Sequence, residues 1–302
     1  MRIIFMGTPD FARKSLERLI DDGYDIAGVF TQPDKPQGRG LKLTFNPVKE
    51  LALSRGIRVF QPVMLKNESV LGSLAELKCD LITVVAYGNL LPREILDLPP
   101  LGCVNIHGSL LPKYRGAAPI QWAVLNGEIE TGVTSMFMAN EMDAGDILFC
   151  KKTPIGDGET AGDVYDRLGT LGARLLSETI SAILAGTAVG TPQNHTEATF
   201  APSLRKDMSL IDWTDTSVRI RNKVRGLNPW PIATANFKGK TFKIFSVDIG
   251  ERKKEYTPGT IVAADANGLE VASADGTVIV RQLQEPGGKR LSAADYLRGH
   301  DL

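Results

Sequence analysis

The first 31 residues constrain the fold most, because buried and amphipathic segments alternate in them. Residues 2–6 and 26–31 form two short apolar runs, and the first of these ends at a Gly-Thr-Pro turn. Residues 10–21, which lie between the runs, carry apolar side chains at helical spacing. Strand, helix and strand in this order are typical of a parallel sheet covered by helices. The sequence therefore predicts an α/β fold with a Rossmann-like, doubly wound and mostly parallel sheet.

The same opening argues against a dinucleotide site. The turn after the first strand, Gly7-Thr8-Pro9, does not match the pattern Gly-x-Gly-x-x-Gly. No acidic residue closes the second strand, where a ribose would be bound. We therefore do not expect an NAD-binding protein.

Residues 101–112 place two polar side chains at the end of an apolar segment. If residues 103–107 form a strand, Asn105 and His107 are two positions apart and point to the same face. Gly108 and Pro112 then end the strand in an irregular loop. Because ligands of α/β sheets bind at the carboxyl ends of strands, this loop is the predicted site.

The residue types at this site suggest its chemistry. An amide and an imidazole side by side can stabilise an oxygen that gains negative charge. A third polar group is needed to set the protonation of His107, and Asp143 in the turn of residues 141–146 is the candidate. A pair with this spacing more often caps a strand or satisfies polar groups in a core. Spacing alone leaves both interpretations open.

Length and composition predict two domains of an ordinary globular protein. The chain has 302 residues, of which 43% are hydrophobic and 23% are charged. Lys plus Arg and Asp plus Glu both number 35, so the net charge does not indicate an acidic partner. The three cysteines are widely spaced and predict reduced thiols. With no signal peptide and no apolar segment of about 20 residues, we expect a cytoplasmic protein without a membrane span.

A polar segment without periodicity divides the chain. A long amphipathic helix is predicted over residues 161–185, and the polar segment follows it. Later residues form short strands bounded by Gly, Asn or Asp turns, which is typical of a small OB-like antiparallel β-barrel. We predict a first domain over residues 1–189, a linker over 190–206 and an OB-like domain over 207–302.

Two segments are basic in an otherwise neutral chain. Residues 203–254 contain twelve Lys and Arg against five Asp and Glu, a formal charge of +7. Residues 32–42 form a loop rich in Gly and Pro in which Lys35, Arg39 and Lys42 would suit phosphate groups. Solvated surfaces would also account for both segments. A basic strip beside a barrel fits contact with an RNA backbone better.

Three motifs resemble the signature of one enzyme family. They are Asn-x-His-Gly-Ser-Leu-Leu-Pro at 105–112, Arg-Gly-Ala-Ala-Pro at 115–119 and Met-Asp-Ala-Gly-Asp at 142–146. Together they resemble the folate-dependent formyltransferases, and the similarity is greatest to the members that formylate methionyl-tRNA. It extends over nearly the whole chain and includes the Asn-Pro-Trp-Pro sequence at 228–231.

The resemblance implies the reaction and the residues that carry it. The formyl donor would be 10-formyltetrahydrofolate, and the acceptor would be the α-amine of methionine on initiator tRNA. Asn105 and His107 would donate hydrogen bonds to the oxygen that becomes negative. Asp143 would stabilise the imidazolium and help to remove the proton of the amine.

The resemblance also implies that residues 1–189 form the formyltransferase catalytic domain and that residues 207–302 form a tRNA-binding domain, and it implies binding residues. The residues expected to contact the folate are Tyr87, Gly88, Ser109, Leu110, Leu111 and Pro112. The residues expected to contact the tRNA are Lys35, Arg39 and Lys42, in a loop that enters the acceptor arm. We expect no metal, since the other histidines, His195 and His300, lack ligand spacing. The protein is expected to be a monomer.

Two alternatives remain open at this point. A formyltransferase acting on an amino sugar nucleotide would share Asn105, His107 and Asp143. An RNA-binding protein with an inactive formyltransferase-like domain belongs to a different class, and the presence of all three residues argues against it. A glycinamide ribonucleotide formyltransferase would have no reason to carry the extra C-terminal hundred residues.

Overall fold

The computed structural model describes residues 1–37, 42–250 and 256–302. The strands, in chain order, are β1 (Arg2–Gly7), β2 (Asp25–Phe30), β3 (Lys35–Gln37), β4 (Lys42–Thr44), β5 (Val59–Phe60), β6 (Leu81–Val85), β7 (Cys103–His107), β8 (Glu130–Phe137), β9 (Ile147–Pro154), β10 (Ala233–Phe237), β11 (Lys240–Ile249), β12 (Ile261–Asp265), β13 (Gly268–Ala272), β14 (Thr277–Gln284) and β15 (Arg290–Ser292). The α-helices are α1 (Asp10–Asp21), α2 (Pro47–Ser54), α3 (Glu68–Glu76), α4 (Arg93–Leu96), α5 (Pro119–Leu125), α6 (Ala161–Leu184), α7 (Ser217–Gly226) and α8 (Ala293–Leu297).

The first sheet has seven strands in the order β5-β2-β1-β6-β7-β8-β9. Neighbouring strands from β5 to β7 pair in parallel, and β8 runs antiparallel to β7. All five residues of β6 and of β7 are buried, because strands in the middle of such a sheet are covered on both faces. The predicted Rossmann-like, mostly parallel sheet is therefore confirmed.

Helices of this part of the chain follow the predicted hydrophobic pattern. Helix α1 buries Phe11, Leu16 and Leu19, which lie on one face of the helix. Helix α6 has 24 residues and ends one residue before the predicted end of its helix. Gly186 follows with φ +68°, a conformation that lets the chain leave a helix without strain.

The second sheet is antiparallel, with the strand order β10-β11-β14-β13-β12 and with β15 paired to β14. Its core includes Phe237, Phe242 and Leu283, which are at most 4% exposed. The predicted small antiparallel β domain after the parallel sheet is confirmed. No pairing joins the end strands β10 and β12 within the described residues, so closure into a barrel stays a prediction.

The chain forms two compact units. The first comprises Met1–Pro119, Thr131–Thr153 and Tyr165–Ala201, and the second comprises Ile120–Glu130, Pro154–Val164 and Pro202–Leu302. Residues 190–201 of the predicted linker are paired within the first unit, through Ile147–Thr191 and Arg115–Phe200 bridges. In the described ranges, no helix combines the length and the apolar character that crossing a bilayer requires.

Part of the predicted basic loop is strand. Residues 35–37 of β3 pair with residues 42–44 of β4 in an antiparallel ladder. Composition did not predict this ladder, because its pairing rests on backbone hydrogen bonds and not on a buried apolar face. Arg39 lies outside the described residues.

The chain after this hairpin is held by Asn46, which caps α2. Its Oδ1 accepts hydrogen bonds from the Lys49 amide and from the buried Thr31 hydroxyl, both at 3.0 Å. Its Nδ2 donates to the Gln32 carbonyl at 3.2 Å. One amide therefore satisfies a helix terminus and two groups at the end of β2.

We expect Asn46→Ala to lower the free energy of unfolding by about 2 kcal/mol, because the cap and a partner of the buried Thr31 are lost together. Urea denaturation measures the change. Asn67→Ala is the matched control, since the Asn67 side chain caps α3 at an exposed position and, among the described residues, accepts hydrogen bonds from Ser69 alone. We expect it to cost about 1 kcal/mol or less. Equal losses in both variants would contradict the role given to Asn46.

Candidate active site

Strand β7 carries the two polar side chains predicted for the site. Asn105 pairs with Val84 of β6 and with Met136 of β8, and His107 pairs with Thr134 of β8. Both lie at the carboxyl end of β7 with only 9% and 6% of their surfaces exposed. Two residues apart on one strand, they share a face of the sheet, as the sequence predicted.

The carboxamide of Asn105 has unused hydrogen-bonding capacity toward the protein. In residues 1–37, 42–250 and 256–302, no protein group forms a hydrogen bond with this side chain. Its polar atoms are not among the fully buried atoms that lack a partner, so they are open to solvent at the end of β7. Its two N–H donors can therefore serve a bound molecule.

His107 lies between a carbonyl and a carboxylate. Its Nε2 is 2.8 Å from the carbonyl oxygen of Tyr114. Because a carbonyl only accepts, Nε2 carries a proton and donates it there. Its Nδ1 is 3.6 Å from Oδ2 of Asp143, an ion-pair distance when the ring is charged. Nδ1 is therefore the nitrogen that remains for a substrate group or a water.

Asp143 is fixed by the backbone around it. It has φ +52°, a left-handed conformation that Asp and Asn adopt more readily than most residues. Its Oδ2 accepts the amide of Gly116 at 2.8 Å. Two residues later, a Cβ on Gly145 would overlap the carbonyl oxygen of Phe137, so only glycine fits there. The predicted partner of His107 is thus held beside it by a tight turn between β8 and β9.

The loop after β7 is fixed by its own hydrogen bonds. Ser109 is fully buried, and its hydroxyl donates to the Lys113 carbonyl at 2.6 Å. The Thr134 hydroxyl donates to the Ser109 carbonyl at 2.7 Å and accepts the Leu111 amide at 3.2 Å. Leu110 and Pro112 are partly exposed between these anchored positions. Contact of these four residues with folate stays a prediction.

Tyr87 and Gly88 follow β6, the strand beside β7, so they lie at the same edge of the sheet. Burial raises the pKa of Tyr87 to about 12, which keeps the phenol neutral at physiological pH. The Tyr87 carbonyl accepts hydrogen bonds from the side chains of Thr8 and Gln32, each at 3.2 Å. Gly88 has φ +88°, which glycine adopts without strain.

Two residues at this site, Arg115 and Gln193, were not predicted from the sequence. The Arg115 guanidinium is buried and donates to Oε1 of Gln193 through Nε at 3.2 Å and Nη2 at 2.6 Å. His195, which lies in the predicted linker, is exposed and places Nδ1 3.3 Å from Nη1 of Arg115. Arg115 lies in a quoted motif, which was a signal. Gln193 had none, because its segment is polar and lacks periodicity.

Two of the three residues predicted to bind tRNA belong to the paired strands β3 and β4. Lys35 is exposed on β3, and Lys42 belongs to β4. Next to Lys35, Asp34 accepts hydrogen bonds from Lys49 and Gln61, which lower the pKa of its carboxyl. The ionised Asp34 therefore links the start of β3 to α2. Its carboxylate is engaged by Lys49 and not by Lys35.

The described part of the chain contains no group of three or more His, Cys, Asp or Glu side chains that could hold a metal ion. Burial raises the pKa of Cys103 to about 12, so this thiol within β7 is inert as a nucleophile.

Comparison with known protein families assigns both parts of the chain. Residues 1–180 match the model of the formyl transferase family, and residues 203–301 match that of the formyl transferase C-terminal domain. The methionyl-tRNA formyltransferase of Acetivibrio thermocellus is 46% identical, over all of this chain and 97% of that protein. The one from Alkaliphilus oremlandii is 47% identical at the same coverage.

Solved structures share the fold at lower identity. HypX from Aquifex aeolicus in complex with tetrahydrofolic acid superposes with a TM-score of 0.66 at 20% identity, covering 98% of this chain and 47% of that chain. WlaRD, a sugar 3N-formyl transferase solved with dTDP and 5-N-formyl-THF, gives 0.70 at 21% identity, covering 94% and 97%. Sequence similarity over the full length decides between these groups: the chain belongs to the methionyl-tRNA formyltransferase family.

Proposed function

We propose that this chain transfers the formyl group of 10-formyltetrahydrofolate to the α-amine of methionyl initiator tRNA, for translation initiation. The observation that carries the proposal is the buried carboxamide of Asn105, which no described protein group engages. It stands at the carboxyl end of β7, two residues from a histidine that faces a carboxylate. A formyl oxygen that gains negative charge is the acceptor that suits such a donor.

In the proposed mechanism, the chain stabilises charge and moves one proton. Asn105 donates an N–H to the formyl oxygen as the amine nitrogen attacks the formyl carbon. Nδ1 of His107 supplies a second donor when protonated, since Nε2 already donates to Tyr114. Asp143 compensates the charge of the imidazolium and accepts the proton of the amine, directly or through water. The attack forms the new C–N bond and a tetrahedral oxyanion. Collapse of the oxyanion breaks the bond to the folate nitrogen, which takes up the proton removed from the amine.

We also propose how the two substrates are bound. Tyr87, Gly88 and the loop of residues 109–112 would line the folate, since they lie at the edge of the sheet where β6 and β7 end. Lys35, Arg39 and Lys42 would contact tRNA phosphates. The domain boundaries at residues 189 and 206, the monomeric state and the cytoplasmic location belong to the same proposal.

Formyl transfer from 10-formyltetrahydrofolate should be measured with three acceptors in parallel: methionyl initiator tRNA, free methionine and a dTDP-amino sugar. We expect transfer to methionyl-tRNA alone. Transfer to the sugar alone would keep the site and replace the acceptor. Binding of tRNA without transfer to any acceptor would favour the inactive RNA-binding alternative.

Asn105→Ala, His107→Ala and Asp143→Ala should each lower kcat/KM at least about 100-fold, because each removes a group that stabilises charge in the transition state. Circular dichroism and thermal unfolding should show an intact fold. His300→Ala is the matched histidine control, because His300 stacks on Tyr296 and should leave kcat/KM unchanged. Near-normal turnover by His107→Ala would overturn the mechanism.

Lys35→Ala, Arg39→Ala and Lys42→Ala should each weaken tRNA binding and reduce the slope of log Kd against log salt by about one. Filter binding at several salt concentrations gives the slope, and the KM for folate should not change. Lys78→Ala is the control, since this exposed lysine precedes β6 at the opposite end of the sheet strands. An unchanged slope in all three variants would remove these residues from the tRNA contact.

A further inference from the structure

We infer that Gln193 is a positioning residue that holds the Asp143 turn and the Arg115 segment in register around His107. The inference rests on the proposed function for its catalytic consequence. Gln193 lies in a segment predicted to be linker, yet its side chain is 6% exposed inside the first unit. It touches neither Asn105 nor His107 in the described contacts, so its effect on the reaction passes through other residues.

The amide nitrogen of Gln193 fixes the turn that carries Asp143. Its Nε2 donates to the carbonyl of Asp143 at 2.9 Å and to the carbonyl of Gly145 at 2.7 Å. Both N–H groups of the side chain are therefore used on one turn. This turn must hold Asp143 in its left-handed conformation, which is less stable than an extended or helical one.

The amide oxygen of Gln193 fixes the side chain of Arg115. Oε1 accepts from Nε and Nη2 of Arg115, a residue that is 5% exposed. In the described residues, no carboxylate forms an ion pair with this guanidinium, and its other hydrogen-bonding neighbour is Nδ1 of His195. A neutral acceptor thus satisfies a buried charge that would be costly to leave unpaired.

The position of Arg115 in the chain connects the hydrogen bonds of Gln193 to the pair formed by His107 and Asp143. Its preceding residue, Tyr114, supplies the carbonyl that accepts from His107, and its following residue, Gly116, supplies the amide that donates to Asp143. Fixing Arg115 therefore fixes both backbone contacts of the pair. Gln193 links the Asp143 turn and this segment through a single side chain.

Only an amide can make both sets of contacts. A glutamate at position 193 would keep the acceptor for Arg115 and lose both donors to the turn. A leucine of similar size would lose every polar contact without introducing a charge. The two variants disturb the site for different reasons, and they share only the loss of the bonds to the carbonyls of Asp143 and Gly145.

The test uses Gln193→Glu and Gln193→Leu in the full-length protein, alone and combined with Asp143→Ala. We expect each single variant to lower kcat about 10- to 100-fold, since a displacement near 1 Å in an active site can have that effect. The KM values for folate and tRNA should change less than about threefold, because the binding residues are untouched. In the Asp143→Ala background, each variant should lower kcat by a smaller factor than it does in the wild type, because part of its effect passes through Asp143.

Hydrogen exchange provides a readout that does not require activity. The amide of Gly116 is bonded to Asp143, so the peptide containing it should exchange faster in both variants than in the wild type. Asn194→Ala is the control, since this neighbour caps an exposed turn at residues 195–197 and should change neither kcat nor exchange.

The outcomes separate this inference from the proposed function. Unchanged kcat in Gln193→Glu and Gln193→Leu, or losses that add fully to that of Asp143→Ala, would overturn the positioning role. Unchanged exchange at Gly116 would overturn it as well. If the wild type formylates none of the acceptors, the proposed function fails. Faster exchange at Gly116 in the variants would still support the positioning role of Gln193.

Discussion

The complete burial of β7 between β6 and β8 is the constraint on which the site depends. A strand covered on both faces must find partners for every polar side chain it carries. His107 finds a carbonyl and a carboxylate supplied by two separate loops, whereas Asn105 finds no hydrogen-bonding group among the described residues. The Tyr114 carbonyl and the Asp143 carboxylate lie beside the two ring nitrogens of His107. The carboxamide of Asn105 is left for a bound molecule, and the proposed reactivity depends on it.

The sequence predicted the parts of this arrangement that depend on short periods. Alternation along residues 103–107 placed Asn105 and His107 on one face, and the apolar runs around them predicted the parallel sheet. Asp143 was identified through its motif, because nothing in local spacing brings it to His107. Gln193 and the Tyr114 carbonyl were not predictable in this way. Their contacts join segments about fifty to eighty residues apart or involve backbone atoms, which no side-chain pattern reports.

The polar segment after α6 shows how composition can mislead about structure. Because it lacks an apolar period, the segment of residues 190–206 is predicted to be a linker, and within it Gln193 is buried and Thr191 bridges to Ile147. Hydrogen bonds can hold such a segment in place without a hydrophobic face. The β3–β4 hairpin follows the same rule, since its strands are joined by backbone pairing. These polar segments are held by hydrogen bonds and not by apolar packing. Binding and catalytic residues are often found on such segments.

The left-handed backbone of Asp143 restricts which amino acids selection could accept there. Glycine would relax the backbone and remove the carboxylate, and glutamate would keep a carboxylate on a backbone that suits it less well. Asparagine would satisfy the backbone and lose the charge. Position 143 thus requires both a residue that tolerates a left-handed backbone and a carboxylate, and aspartate provides both. Each of these three substitutions fails one of the two demands, so new specificity in this scaffold is more accessible through the proposed substrate-binding loops than through the Asp143 turn.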